Sequence, residues 1–88
     1  MSGRSLETTV TFLHPFSLTA IDGAQPAGTY RLVIDEEEIL GLSFLAFQRT
    51  ATMLHVPAIS TVGQTAQVFR IDPVELAAKL EADARVQP

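Results

Sequence analysis

Pro26-Ala27-Gly28-Thr29-Tyr30-Arg31-Leu32-Val33-Ile34-Asp35-Glu36 decides how the rest of the chain is read. Pro26 and Gly28 signal a turn, because proline presets φ and glycine reaches positive φ without steric cost. Thr29 to Asp35 then alternates. Tyr30, Leu32 and Ile34 fall on one face, and Thr29, Arg31 and Asp35 fall on the other with Val33 as its one apolar residue. A period of two in branched and aromatic side chains predicts a half-buried strand. Such a strand is not stable without partners, so the flanking segments are read for strands that pair with it.

Upstream, Leu6 to His14 alternates in the same way, with Val10 and Phe12 opposite Thr9 and Thr11. Pro15 limits this strand because it lacks the ladder donor. Phe16, Leu18 and Ile21 are apolar anchors that extend it past a bulge. Asp22-Gly23 is a turn dipeptide, so residues 21–28 predict a reversal that makes the two strands an antiparallel pair. Met1 to Ser5 reads as a loose terminus.

Downstream, Asp35-Glu36-Glu37-Glu38-Ile39-Leu40-Gly41 admits two readings. Asp35 with Glu38 resembles a capping box and Gly41 a helix stop, which predicts one or two helical turns. The competitor is a continuing strand with glutamates on a solvent face. Leu42 to Val56 is the longest apolar stretch. Its threonines and the closing Val56-Pro57 predict a strand from about Ala46 to Val56, with Phe47, Arg49, Ala51, Met53 and His55 on one side. Apolar residues on both sides imply a central strand, or one packed on a helix or another subunit.

Pro57 to Thr65 reads as a loop around Gly63, and Gln67 to Asp72 as a short strand. Asp72-Pro73-Val74-Glu75 is a helix start, with Asp72 as N-cap, Pro73 in the first turn and Glu75 completing a capping box. Over Pro73 to Arg85 the apolar stripe is Leu76, Ala77, Leu80 and Ala84, with Asp83 among the residues pointing away.

The expected fold is α+β, one domain over residues 1–88: a small, mainly antiparallel, curved β-sheet of about four strands with a C-terminal α-helix. A partly open barrel is the variant. The predicted core is Val10, Phe12, Tyr30, Leu32, Ile34, Phe44, Phe47, Leu54, Phe69, Ile71, Leu76 and Leu80.

Apolar residues make up 47 % of the 88, which is the composition of a folded chain. The net charge is −4 and the six basic residues are scattered, which argues against nucleic acid as a partner. Without cysteine, disulfides, thiolate metal sites and thiol catalysis are excluded, and a reducing compartment is favoured. Met1 to Glu7 lacks a signal-peptide core, and no apolar run approaches the ~18 residues of a membrane span. The expected location is therefore the cytoplasm.

Pro26-Ala27-Gly28-Thr29-Tyr30-Arg31, Asp35-Glu36-Glu37, and Leu42-Ser43-Phe44 with Ala46-Phe47 and Arg49 form a longer pattern. With Thr11 to Leu18 added, it resembles a group of small bacterial proteins of unknown function built on PAGxYxV…DEE…LSFxAYxR. The resemblance spans roughly residues 8 to 58. Phe47 stands where that pattern has tyrosine, and Gln48 where it often has a base. The resemblance implies no activity, cofactor or partner.

Chemistry-bearing residues are sparse. His14 and His55 lack any metal-ligand spacing and depend on meeting across the sheet with a carboxylate. Residues Asp35 to Glu38 read as a solvated or capping run rather than a catalytic pair. Ser43, Ser60 and Thr61 lack the setting of a nucleophile. Arg31, Arg49 and Arg70 on neighbouring strands form a basic stripe or ordinary cross-strand ion pairs. No metal or cofactor is expected, and enzymatic activity is disfavoured. The leading expectation is an interaction module that self-associates as a homodimer, or meets another protein, through Leu45, Phe47 and Met53. The alternative is a small-ligand binder or modest enzyme with an anionic-ligand pocket between sheet and helix, lined by Tyr30, Arg31, Arg49 and His55.

Overall fold

The computed structural model describes residues 3–59 and 65–85. The elements in chain order are β1 (Gly3–Phe12), β2 (Phe16–Leu18), β3 (Ile21–Gln25), β4 (Gly28–Glu38), β5 (Phe47–Val56), β6 (Gln67–Arg70) and α1 (Pro73–Arg85). The fold is the expected α+β arrangement. An antiparallel four-stranded sheet runs β1-β4-β5-β6, with β2-β3 as a separate antiparallel pair. The sheet is not closed on itself.

The stretch around Tyr30 is the hub. Tyr30 lies opposite Val10 on β1, and Leu32 lies between Thr8 of β1 and Leu54 of β5. Gly28 begins β4 at φ 152°, and a Cβ there would stand 3.1 Å from that of Ala58. The positive φ favours glycine at this position, and a side chain there would be tight against Ala58. The Ile59 N–H donates to the Thr29 carbonyl at 2.8 Å and holds that approach.

Phe12, Tyr30, Leu32, Leu54 and Val56 form the sheet side of the core; β2-β3 adds Phe16, Leu18 and Ile21, and Leu76 enters from α1. The Phe12 and Phe16 rings stack at 3.6 Å, and Phe16 meets Tyr30 edge-on at 5.2 Å. Thus residues 16–21 do not prolong β1 past a bulge. They fold over as a hairpin that caps one end of the core. Asp22-Gly23 is likewise not the reversal: it lies inside β3, with Gly23 at φ 78°.

Four further expectations are corrected. Residues 35–38 are not helical; β4 runs on to Glu38 because it has a partner strand on each side there. β1 starts at Gly3, so Gly3–Ser5 is not loose terminus. Of the predicted core, Phe44 is 66 % exposed, and Phe47 is only half-buried. The helix spans the predicted Pro73–Arg85, but Ala77 and Ala84 face solvent while Asp83 lies on the docked side.

Strands β1, β4 and β5 are ten or eleven residues long, yet the core uses only one end of them. The other end, Gly3–Ser5, Asp35–Glu38 and Phe47–Ala51, projects as an arm. The molecule measures 48 × 31 × 20 Å with a radius of gyration of 15.0 Å. A compact chain of this length would have about 12 Å.

Candidate functional site

The arm ends in a closed turn. The Ile39 N–H donates to the Ala46 carbonyl at 2.8 Å, and Gly41 at φ 82° makes the bend. Four large apolar side chains stand on this tip: Leu40 is 74 % exposed, Leu42 45 %, Phe44 66 % and Leu45 71 %. Apolar residues crowded on one turn remote from the core are the mark of a contact surface.

Behind the tip the arm is held by polar cross-strand contacts. Arg4 Nε meets Glu36 Oε1 at 2.7 Å, and the same guanidinium lies 3.8 Å from the Phe47 ring centroid. The Ser5 hydroxyl donates to Asp35 at 2.5 Å, and Glu7 pairs with Arg31 at 3.4 Å. The β4–β5 register pairs Asp35 with Ala51 and then Glu36 with Arg49, skipping Thr50. This bulge shifts the side-chain phase by one residue. Arg49 and Phe47 thereby move to the face of Glu36 and Arg4, away from the face of Met53 and His55.

A second cluster joins α1 to the corner after β1. The Asp83 carboxylate accepts from the Leu13 N–H at 2.8 Å, the His14 N–H at 2.9 Å and His14 Nδ1 at 2.9 Å. The Leu13 N–H foremost, then the His14 contacts, hold the Asp83 carboxyl below its ordinary value against the opposing effect of burial. Within the first turn of the helix, Glu75 accepts from the Thr19 N–H at 3.2 and 3.1 Å and from the Thr19 hydroxyl at 2.7 Å. Glu75 therefore clamps the β2-β3 hairpin instead of completing a capping box. Asp72 does cap the helix, accepting from the Val74 N–H at 2.8 Å.

The four residues expected to line a ligand pocket do not converge. Tyr30 is fully buried, and its hydroxyl donates to the Pro26 carbonyl at 2.6 Å. Burial pushes its phenol pKa upward. Arg31 and His55 are partners across β4–β5 on the opposite face, where Arg31 is engaged by Glu7. Arg49 is carried away by the bulge. Arg70 donates to the Thr50 carbonyl at 2.9 Å, so the three arginines make no stripe. His14 is bound to Asp83 rather than facing His55.

Of the expected interface residues, Leu45 is exposed on the tip, whereas Phe47 and Met53 are half-buried. The sequence reading missed the concentration of exposure at residues 40–45, because it placed Phe44 inside. Ser60 and Thr61 lie outside the described residues.

Three clefts border the body, one of them about 450 Å³ at Thr19, Ala20, Asp72 and Glu75. One of about 420 Å³ lies among Ile21, Asp22, Gln25, Val56, Gln67 and Phe69. Another, about 230 Å³, is lined by Arg49, Thr50, Thr52, Arg70, Ile71 and Pro73. Among the described residues no three His, Asp or Glu side chains are grouped to hold a metal ion, and no helix is long and apolar enough to cross a membrane.

No family model, curated protein or solved structure matches this chain.

Proposed function

We propose that this chain is a non-enzymatic interaction module that works as a homodimer in the cytoplasm. The observation that carries the reading is the apolar tip, Leu40, Leu42, Phe44 and Leu45, set on an arm that the chain's own core does not cover. Leaving such side chains in water forgoes about 25 cal/mol for each Å² that a partner would cover. Size-exclusion chromatography with light scattering tests it. The wild-type chain is expected to run as a dimer. Phe44→Glu with Leu45→Glu is expected to weaken assembly without lowering the melting temperature at low concentration, because both side chains are exposed. A wild-type monomer at every concentration refutes the reading.

A second reading, binding of a small anion, is favoured only by the cleft between Arg49 and Arg70. It is the weaker one. Arg70 is already spent on the Thr50 carbonyl, and the adjacent helix start is capped by its own Asp72 carboxylate. Inorganic phosphate should raise the melting temperature if this reading holds, and Arg49→Gln should abolish the shift.

A further inference from the structure

The inference here rests on the homodimer reading and adds to the apolar tip a second contact between the copies, the free edge of β1. We infer that two copies join edge to edge through β1, antiparallel about a two-fold axis at Thr8, to make one continuous eight-stranded sheet.

β1 is an outer strand of the sheet, and among the described residues no strand covers its far edge. It pairs with β4 without a register break from Gly3 to Phe12, and it contains no proline. An edge of this length is a template for a further strand unless something blocks it. The usual block is charge, and β1 carries only Arg4 and Glu7. Both are paired within the chain, Arg4 to Glu36 and Glu7 to Arg31. The sheet's other edge, β6, is different: it has four residues and stops at Asp72-Pro73.

The register follows from the pleat. Residues directly opposite across an antiparallel pair share a face. Around a two-fold axis, the numbers of opposed residues therefore sum to an even value. Only two registers overlap nearly the whole strand. Centring on Glu7 sets two carboxylates opposite each other, which is unfavourable. Centring on Thr8 opposes Ser5 with Thr11, Leu6 with Val10 and Glu7 with Thr9, and no like charges meet. Leu6, 42 % exposed, then closes against the partly buried Val10 of the second copy. The antiparallel arrangement also runs the arm of each copy alongside the core end of the other, where Leu13 is 67 % exposed.

The surface area agrees. The chain exposes 5971 Å² at a mass of 9.5 kDa. A compact monomer of that mass exposes about 5,050 Å². The surplus, about 900 Å², is spread over the elongated shape, arm and tip included, and leaves surface of the size that a partner covers in a standard interface, ~800 Å².

The chain has no cysteine, so Thr8→Cys introduces a single thiol on the two-fold axis. Opposed Cα atoms lie about 4.5 or 5.5 Å apart in an antiparallel pair, within disulfide reach. Mild oxidation is expected to link T8C into a covalent dimer, and to leave T11C largely unlinked, since Ser5 stands opposite it. The double variant S5C/T11C should link. T8K, which sets two ammonium groups opposite each other on an exposed position, should weaken the dimer several-fold and leave the circular dichroism unchanged. A wild-type dimer in which T8C does not cross-link and T8K has no effect overturns the β1 edge while leaving the module reading standing. A wild-type monomer overturns both.

Discussion

Thr52 holds a core position where a hydroxyl has nothing to do. It is 2 % exposed, and its Oγ1 has no hydrogen-bond partner among the described residues. Burying an unpaired hydroxyl costs about 1–3 kcal/mol. Thr52→Val keeps the shape and removes the group, so it should stabilise the chain by about 1 kcal/mol. That corresponds to a rise of roughly 4–8 °C in melting temperature for a domain of this size. A lower melting point for T52V would mean that the hydroxyl is used. Two positions along, Leu54 is completely buried, flanked by Leu32 of β4 and Phe69 of β6. Leu54→Ala should cost about 2–5 kcal/mol. Because a small core supplies modest total stability, urea denaturation should show L54A unfolding at a much lower midpoint. A midpoint within error of wild type would remove Leu54 from the core. The contrast at 52 and 54 separates burial that stabilises from burial that does not, on the same face of one strand.

Helix α1 shows which elements could be read from sequence. Asp72-Pro73 is a local signal, and local signals survive folding: the helix spans the predicted residues and Asp72 caps it. What the helix acids do was not legible. Glu75 reaches Thr19, and Asp83 reaches Leu13 and His14, about seventy residues away in sequence. No periodicity encodes such a contact, and Asp83 looked like a solvent residue because carboxylates usually are. The run Asp35 to Glu38 failed in the same direction. A local capping pattern lost to strand partners on both sides, contributed by residues 3–5 and 47–51. The candidate site fared similarly. The surplus of apolar residues in 42–56 pointed to a contact surface, but the skipped Thr50 left no trace in the pattern and misplaced Arg49. The Asp83 clasp has a pH signature. Its folded pKa lies below the ordinary 3.8, so its contribution is fully present above that value and is lost as the pH falls through the lowered one. Asp83→Asn should be less stable than wild type at neutral pH, and the gap should narrow as wild type is acidified below about pH 4. Melting curves over that range check it; a gap that stays constant to the lowest pH would show that the carboxylate's charge does not hold the clasp.

At the scale of the whole molecule, the chain is a small body with a long arm, and the two should differ in stability as well as in place. Around Tyr30, Leu32, Leu54 and Val56 the strands are covered by the β2-β3 hairpin and the helix. Along Asp35–Glu38 and Phe47–Arg49 the same strands are held by ladder bonds and a few exposed polar contacts. Exposed pairs of that kind contribute about 0–1 kcal/mol each. Amides of the arm should therefore exchange with solvent by local opening, at rates almost indifferent to low denaturant, since local opening exposes little new surface. Amides of the body should exchange only by global unfolding, with the full denaturant dependence. Protein concentration adds the decisive variable. If the arm is where a second copy sits, raising the concentration slows exchange along β1 and the arm and leaves the body's denaturant slope unchanged, because association protects the docked strands without altering what global unfolding exposes. Native-state hydrogen exchange at two concentrations measures both effects. Arm amides as well protected as those of the body in dilute solution would show one cooperative unit, and protection independent of concentration would show that the arm meets no second copy of the chain.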